Sequence, residues 1–199
     1  MRTDDFAYHL PQRLIAQHPI EPRDASRLLV LDRKSGAIAH RHFRDLAHLL
    51  RPGDLLVANE SRGIPASLHG RKVPTGGKVK LLLLSQRNDT TWETLVKGRR
   101  VGAGDRIGLP DYGEPVAPER YRVIGQVLEE TASGGRLLRF PQPIDHMLDD
   151  LGAMPLPPYI HEPLADRERY QTVYARVRGS AAAPTAGLHF TPRLMEELE

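Results

Sequence analysis

One short loop near the end of the sequence collects residue types that could do chemistry. Residues 183–192 have the sequence APTAGLHFTP. His189 supplies an imidazole that titrates near neutral pH, and Thr185 supplies a hydroxyl. Small residues around them would let a ligand approach the backbone closely: Ala183, Ala186 and Gly187. The loop is therefore a candidate site, and the alternative is a tight turn whose histidine only caps a neighbouring backbone group.

A predicted helix begins directly after this loop. Thr191 is a suitable N-cap, and Pro192 suits the first helical position. The free N–H groups and the positive dipole end of a helix start attract anions. We therefore expect this helix start to be able to hold a carboxylate or a phosphate.

A second group of polar side chains follows a predicted buried strand, LLVAN, at residues 55–59. Asn59, Glu60 and Arg62 stand where open α/β sheets bind their ligands, at the carboxyl end of a strand. Glu60 can attract a cation or act as a base, and Arg62 can hold a carboxylate or phosphate through two N–H groups. The sequence is equally compatible with an Asn-capped turn that carries a surface ion pair.

Two further segments carry aromatic side chains. The three prolines of MPLPPYI, residues 154–160, predict an extended segment that presents Tyr159 as a stacking surface for a base or as a packing residue. RERYQTVYARV, residues 167–177, can form a helix whose aromatic and apolar residues favour core positions. These are Tyr170, Val173, Tyr174 and Val177.

Two clusters of basic residues lie between residues 71 and 106. The first contains Arg71, Lys72, Lys78 and Lys80, and the second contains Lys97, Arg99, Arg100 and Arg106. Clustered cations can contact a phosphate backbone, although a solvated face is the simpler interpretation. The candidate RNA-binding residues are Arg71, Lys72, Lys97, Arg99 and Arg100.

Composition narrows the class of protein. The 199 residues carry a formal net charge of +3 and include no cysteine, which excludes disulfides and thiolate zinc sites. No apolar run approaches the roughly 20 residues of a transmembrane helix, and the N-terminus lacks the apolar core of a secretory signal. We expect a cytoplasmic protein with no metal site.

The hydrophobic pattern of the first sixty residues predicts a compact α/β unit. Residues 27–32 and 37–40 are predicted to pair as a hairpin, and LLVAN is the next strand. Between them, residues 42–50 place apolar side chains on one helical face. These are Phe43, Leu46, Ala47 and Leu50.

From residue 64 to residue 142 short strand-like runs recur between Gly, Pro and charged turns. The runs are KVKLLLL, TWETLVK, RIGL, RYRVIGQVLEE and GRLLRF. Many short strands with regular turns predict a small barrel or sandwich. Helical signals return in IDHMLDDLG, with Ile144, Met147, Leu148 and Leu151 at helical spacing. The predicted fold class is α/β: a discontinuous mixed α/β domain, 1–63 and 143–199, with an inserted small β-barrel domain, 64–142.

Six stretches that span the chain occur together in one known family. They are DFAYHLPQRLIAQHPIEPRDASRLLVLDR, HRHFRDLAHLLRPGDLLVANESRGIPASLHGRK, GGKVKLLLL, MPLPPYI, ERYQTVYA and AAPTAGLHFT. In content and order they resemble the S-adenosylmethionine:tRNA ribosyltransferase-isomerases of queuosine biosynthesis. The resemblance covers the whole chain, and several of the stretches are long and unusual in composition.

The resemblance implies a reaction that the residues alone do not. The family transfers and isomerises the ribosyl moiety of S-adenosylmethionine onto the 7-aminomethyl-7-deazaguanine at the wobble position of tRNA. The products are epoxyqueuosine in tRNA, adenine and methionine. S-adenosylmethionine is then a co-substrate, so no cofactor is implied, and the macromolecular partner is tRNA carrying that base. We expect a monomer.

The reaction suggests roles for the candidate residues. A sulfonium acidifies the adjacent C5′ hydrogens, so a base is needed, with His189 as first choice and Glu60 as second. The helix start after His189 could hold the methionine carboxylate, and the basic residues of the barrel could contact the anticodon stem. The catalytic candidates are His189, Glu60 and Thr185. The substrate-binding candidates are Asn59, Arg62, Tyr159, Pro184, Ala186, Gly187 and Phe190.

The sequence also departs from the family pattern. Gly63 stands in place of a β-branched residue, Ser67 in place of arginine and Lys80 in place of glutamate. Family members are considerably longer, so we expect a partial sequence that lacks the second half of the outer domain. The alternative function is that of a non-catalytic RNA-binding or degenerate fragment of the enzyme.

Overall fold

The computed structural model describes residues 1–114 and 120–199. The chain divides into two compact units. Unit 1 comprises Met1–Asp54, Leu156–Ala165 and His189–Glu199, and unit 2 comprises Leu55–Pro155 and Asp166–Leu188. The domains predicted from sequence, 1–63 with 143–199 and 64–142, have other boundaries and stay a prediction. Their barrel range includes residues 115–119, which lie outside the described residues.

Strands dominate the described residues. They are β1 (Arg27–Leu31), β2 (Ile38–His42), β3 (Ser61–Gly63), β4 (Ser67–Val73), β5 (Lys78–Asn88), β6 (Thr91–Gly98), β7 (Arg106–Leu109), β8 (Val123–Glu130), β9 (Arg136–Arg139), β10 (Gly152–Ala153) and β11 (Val177–Ser180).

The helices are short. The α-helices are α1 (Leu148–Leu151) and α2 (Pro192–Leu198). The 3₁₀ turns are Thr3–Phe6, Gln12–Leu14, Arg23–Ala25, Phe43–His48, Asp145–Met147, Arg167–Tyr170 and Thr185–His189. No helix in the described part of the chain has the length and apolarity needed to cross a lipid bilayer.

A closed six-stranded barrel forms the centre of unit 2. Its strands follow the order β4-β5-β6-β9-β8-β7, and β4 also pairs with β7, which closes the barrel. The short β10 extends the sheet beside β4. The mixed α/β fold with a small β-barrel is therefore confirmed.

Strand alternation explains why these residues form a barrel. On β5, Val79, Leu81 and Leu83 are buried, while Lys78 and Lys80 are exposed. Side chains on one strand alternate between two faces, so the apolar set fills the interior and the lysines face water. The core of unit 2 therefore lies inside the barrel.

Strand β4, which closes the barrel, is absent from the strands predicted by sequence. Its sequence, SLHGRKV, has Gly70 at a buried position, and the charged Arg71 and Lys72 that follow are only partly buried, so the apolar alternation is weak. Glycine is required there, because a Cβ on Gly70 would lie 2.6 Å from the carbonyl oxygen of Gly108 on β7. Gly70 therefore weakens the sequence pattern of the strand and also allows β4 to approach β7 closely enough to close the barrel.

The apolar residues of IDHMLDDLG pack against the barrel core. Ile144, Met147, Leu148 and Leu151 are all buried, as their spacing predicts. The helical segment is short, with one 3₁₀ turn leading into α1. It ends at Gly152, which adopts an extended conformation and begins β10.

In unit 1 the predicted hairpin and the predicted C-terminal helix are both confirmed. Strands β1 and β2 pair antiparallel, from Arg27 opposite His42 to Leu31 opposite Ile38. The Thr191 hydroxyl accepts a hydrogen bond from the backbone N–H of Leu194 at 3.2 Å and so caps α2. The segment predicted as a helix at residues 42–50 forms a 3₁₀ turn instead of an α-helix.

Two element predictions are wrong. LLVAN forms no strand, and Leu55 and Val57 are 87% and 84% exposed. In RERYQTVYARV only Arg167–Tyr170 is helical, and the chain then extends into β11. In the second case pairing with β3 outweighs the local helical spacing of the tyrosines.

Candidate functional site

The residues after LLVAN are positioned by a parallel strand pair within unit 2. Strand β3 pairs with β11, with Ser61 opposite Val177 and Arg62 opposite Arg178. The carbonyl oxygen of Glu60 accepts hydrogen bonds from the backbone N–H groups of Arg176 and Val177, at 2.8 and 3.2 Å. Chain segments from either side of the barrel strands therefore meet at residues 60–63.

The polar side chains at this point contact one another or nearby protein groups. The Asn59 side-chain oxygen accepts from the backbone N–H of Ser61 at 2.8 Å. Glu60 Oε2 accepts from Arg176 Nε at 3.0 Å and also from Arg176 Nη2. Arg62 forms an ion pair with Glu168. These residues thus form the Asn-capped turn and surface ion pair that were the alternative, and their assignment to substrate stays a prediction.

Gln171 is a structural residue that sequence reasoning missed. Its side-chain amide accepts from the Gly63 N–H at 2.9 Å and donates to the Gly63 carbonyl at 3.0 Å. A Cβ on Gly63 would lie 2.9 Å from Met154 Cε, so the glycine that departs from the family pattern leaves room for this methionine. Only the pairing of β3 with β11 reveals the contact, because 108 residues separate Gln171 from Gly63.

The candidate loop is seated on the segment that leads into β11. Thr185–His189 forms a 3₁₀ turn, and Gly187 within it is buried. A Cβ on Gly187 would overlap Tyr174 Oη and would lie 2.9 Å from Thr172 Cγ2. Glycine is therefore required by packing of the protein itself, whereas the sequence suggested room for a ligand. Thr185 and Ala186 are exposed, and Pro184 is partly buried.

Two hydroxyl groups stand under this loop. Burial raises the pKa of Tyr174, so its phenol is a neutral hydrogen-bonding group near pH 7. The Thr172 side chain is 5% exposed, and its buried Oγ1 has no hydrogen-bond partner in the described structure. Both residues lie in the irregular segment 171–176, where the backbone N–H of Ala175 donates to the Thr172 carbonyl at 3.2 Å and forms a turn, rather than in the predicted helix.

The remaining candidates of the loop belong to unit 1. The rings of His189 and Phe190 pack against Phe43, with centroid distances of 5.2 and 4.9 Å. His189 is partly buried, whereas Phe190 is only 8% exposed and so acts as a core residue.

An aspartate that the sequence did not single out lies at the start of α2. The Asp24 side chain is 2% exposed, and its Oδ2 accepts from Thr191 Oγ1 at 3.2 Å and from Arg193 Nη2 at 3.1 Å. The helix start predicted to hold a substrate carboxylate thus already faces a carboxylate of the protein. Local patterns give no signal for this contact, because 167 residues separate Asp24 from Thr191.

Tyr159 lies on the proline-rich segment of unit 1. Tyr159 is 54% exposed, which is compatible with the predicted stacking surface. The Gln17 side chain fixes the backbone around it, donating to the Tyr159 carbonyl at 3.0 Å and accepting from the His161 N–H at 2.8 Å.

The predicted RNA-binding residues fall into two groups. Lys72 forms an ion pair with Asp105 at 2.9 Å, and Arg71 donates to the Gly76 carbonyl at 2.9 Å, so both are engaged within the protein. The other three predicted residues are exposed near the end of β6: Lys97, Arg99 and Arg100.

Lys97 continues a row of basic side chains across three strands. It stands opposite Lys80 on β5, which stands opposite His69 on β4. Partial burial, with the nearby charge of Lys80, lowers the pKa of His69. In residues 1–114 and 120–199, no group of three or more His, Asp or Glu side chains is arranged to hold a metal ion.

Comparison with known proteins finds relatives that share one enzyme name. The S-adenosylmethionine:tRNA ribosyltransferase-isomerase of Moorella thermoacetica is 52% identical over 202 residues, covering 100% of this chain and 56% of the relative. The enzyme of the same name from Symbiobacterium thermophilum is 53% identical over 201 residues, with the same coverage. The chain therefore spans little more than half the length of these relatives.

A solved structure is also similar in sequence. The S-adenosylmethionine tRNA ribosyltransferase of Thermotoga maritima is 35% identical, with a TM-score of 0.35, and the match covers 98% of this chain and 53% of that chain. The sequence model of the queuosine biosynthesis proteins matches residues 3–199. This chain belongs to the queuosine biosynthesis protein family.

Proposed function

We propose that this protein transfers and isomerises the ribosyl moiety of S-adenosylmethionine onto 7-aminomethyl-7-deazaguanine at the wobble position of tRNA. The products are epoxyqueuosine in tRNA, adenine and methionine. The observation that carries the proposal is the 52% identity to the Moorella thermoacetica enzyme along the whole of this chain. S-adenosylmethionine is a co-substrate, no separate cofactor takes part, and the protein acts as a cytoplasmic monomer.

His189 is the better candidate for the base that starts the reaction. The sulfonium centre makes the C5′ hydrogens of the ribosyl group acidic. The C5′–H bond breaks, the proton moves to an imidazole nitrogen, and the electron pair stays on C5′ beside the positive sulfur. Glu60 is less suitable, because its Oε2 already accepts from two N–H groups of Arg176.

The exposed part of the same loop is the proposed contact surface for the substrate. Thr185 presents a hydroxyl and Ala186 a small side chain, while Gly187 faces inward onto Tyr174. The inner side of the turn therefore holds the loop in place, and its outer side contacts the substrate. Asp24 supplies the anion at the start of α2, so the methionine carboxylate of the substrate binds elsewhere.

The test is a reaction with defined substrates. The protein is incubated with S-adenosylmethionine and with tRNA that carries the 7-aminomethyl-7-deazaguanine, and matched tRNA with guanine at that position is the control. Mass spectrometry of the digested tRNA should detect epoxyqueuosine, and chromatography should detect adenine in equal amount. Absence of adenine release, or methyl transfer to the RNA in its place, would refute the proposal.

A further inference from the structure

Three polar side chains stand side by side on the outer face of the barrel. Arg106 on β7 is opposite Gln126 on β8, and Gln126 is opposite Arg139 on β9. All three are exposed, while the residues next to them in sequence, Ile107, Val127 and Leu138, are buried in the core. Sheet register therefore lines up two guanidinium groups on either side of one amide. We call these residues the arginine row.

A cavity of about 200 Å³ lies along the arginine row. Both arginines and Gln126 line it, together with Gly125, Phe140 and Pro141. A Cβ on Gly125 would lie 2.7 Å from Phe140 Cε1, so the aromatic ring packs directly under the backbone of β8. The volume is below the range of about 300–1,000 Å³ that is usual for sites of drug-sized ligands, and it suits a small anionic group.

The two arginines of the row differ from two other arginines on the barrel strands, Arg87 and Arg136. Arg87 forms an ion pair with Glu93, and Arg136 forms one with Glu130. In residues 1–114 and 120–199, neither Arg106 nor Arg139 has a carboxylate within ion-pair distance. Their positive charges are therefore not neutralised by the described protein.

The acidic residue next to the row in sequence is engaged elsewhere. The backbone N–H of Gly102 donates to Asp105 at 2.8 Å, and Lys72 forms an ion pair with it at 2.9 Å. These two contacts, the Gly102 hydrogen bond first, hold the pKa of Asp105 below its usual value. Asp105 is therefore committed to Lys72 and leaves the charge of Arg106 uncompensated.

We propose that the arginine row binds a backbone phosphate of RNA. Neighbouring strands lie about 4.8 Å apart, so the two ends of the row are roughly 10 Å apart at the backbone, and long arginine side chains can converge on one phosphate between them. Guanidinium groups match phosphate oxygens in pairs, and the Gln126 amide adds a neutral donor. Such contacts position an RNA without reading its sequence.

The arginine row overlaps only partly with the basic clusters of the sequence: Arg106 belongs to the second cluster, whereas Gln126 and Arg139 belong to neither. The row crosses β7, β8 and β9, and β7 pairs with β4, which carries Arg71 and Lys72. The identification of the bound RNA as tRNA rests on the proposed function. Binding of a phosphate backbone by the row does not depend on the transfer reaction.

The experiment compares charge-removing variants in a tRNA-binding titration over a range of salt concentrations. Arg106→Gln and Arg139→Gln are combined in one double variant, and Arg33→Gln, an exposed arginine of unit 1, is the matched control. The double variant should bind tRNA about tenfold more weakly at low salt, with a salt slope smaller by roughly one, as expected for one lost phosphate contact. The Arg33 variant should bind as the parent protein does.

Two further variants separate charge from geometry and from folding. The Arg106→Lys/Arg139→Lys variant keeps both charges, so its salt slope should stay close to that of the parent protein. Gln126→Leu should weaken binding with no change of slope, because it removes a neutral donor. Thermal unfolding of every variant controls for loss of structure.

The outcomes decide the proposal. Unchanged tRNA affinity and slope in a folded double variant would overturn it. Weaker binding of S-adenosylmethionine with unchanged tRNA binding would also overturn it, because the row would then hold the carboxylate of the small molecule. If the variants lose tRNA affinity while the parent protein shows no ribosyl transfer, the arginine row stands and the proposed reaction fails.

Discussion

Replacing Gly187 by alanine tests whether the candidate loop is seated on the segment below it. The added Cβ would overlap Tyr174 Oη and would lie 2.9 Å from Thr172 Cγ2 and 3.2 Å from Tyr174 Cζ. Gly187 is buried, so the methyl group cannot turn toward water. Either the tyrosine ring must move or the 3₁₀ turn must lift from its support.

The expected cost follows from this overlap. Forcing one extra methyl group into a packed site costs about 1–3 kcal/mol. For a chain of 199 residues, that lowers the Tm by roughly 2–12 °C. Because the displaced loop carries Thr185 and leads into His189, ribosyl transfer should fall as well. Differential scanning calorimetry measures the first effect, and adenine release measures the second.

Two further variants make this test specific. Tyr174→Phe removes the overlapping oxygen, so Gly187→Ala should cost less in that background, with a coupling of about 1 kcal/mol or more in the double-mutant cycle. Gly102→Ala is the matched control, because a Cβ there meets no atom within 4 Å. If Gly187→Ala is as stable and active as Gly102→Ala, the loop does not rest on Tyr174 and the argument is wrong.

Three other predictions concern catalysis, RNA binding and pH. His189→Ala should abolish adenine release while leaving tRNA affinity nearly unchanged, and equal turnover would discard this histidine as the base. Arg99→Gln and Arg100→Gln should each weaken tRNA binding and reduce the salt slope by roughly one in filter-binding titrations, and an unchanged slope would remove them from the interface. His69 has a folded pKa below its ordinary 6.5, through burial first and Lys80 second. The unfolded chain therefore binds more protons at this residue. The contribution of His69 to stability is fully present above the unfolded pKa of about 6.5 and is lost as the pH falls from there through the folded pKa. An NMR titration should show the pKa of the His69 imidazole rising toward 6.5 in the Lys80→Gln variant. An unchanged pKa would exclude Lys80 as a cause of the shift.

Most strands of the barrel were predictable, because each of these strands has a recognisable pattern of apolar and polar residues within its own sequence. KVKLLLL alternates lysines with apolar residues, and β5 places them on opposite faces of the sheet. Strand β4 escaped prediction because Gly70 takes an inner position where an apolar residue would have marked the pattern. The need for a glycine there comes from the approach of Gly108 on β7, a residue far along the chain.

Dependence on residues far along the chain also explains the two wrong element predictions. LLVAN has the composition of a buried strand, yet a strand needs a partner, and the strand that follows this segment begins only at Ser61. The tyrosines of ERYQTVYA have helical spacing, yet the helical turn ends at Tyr170, and the Gln171 side chain forms two hydrogen bonds with the backbone of Gly63. In both places the outcome depended on a neighbour that local spacing does not specify.

By itself, the sequence determined the elements whose cause lies within a few residues: the alternation of β5, the β1–β2 hairpin, and the Thr191 cap of α2. The motifs in their order also determined the family. Only the tertiary structure decided that Asp24 faces the start of α2 and that Tyr174 fills the space in front of Gly187. It also brought Arg106 and Arg139 into one row. These contacts join residues far apart along the chain, and sheet register and packing, rather than sequence spacing, bring such residues together.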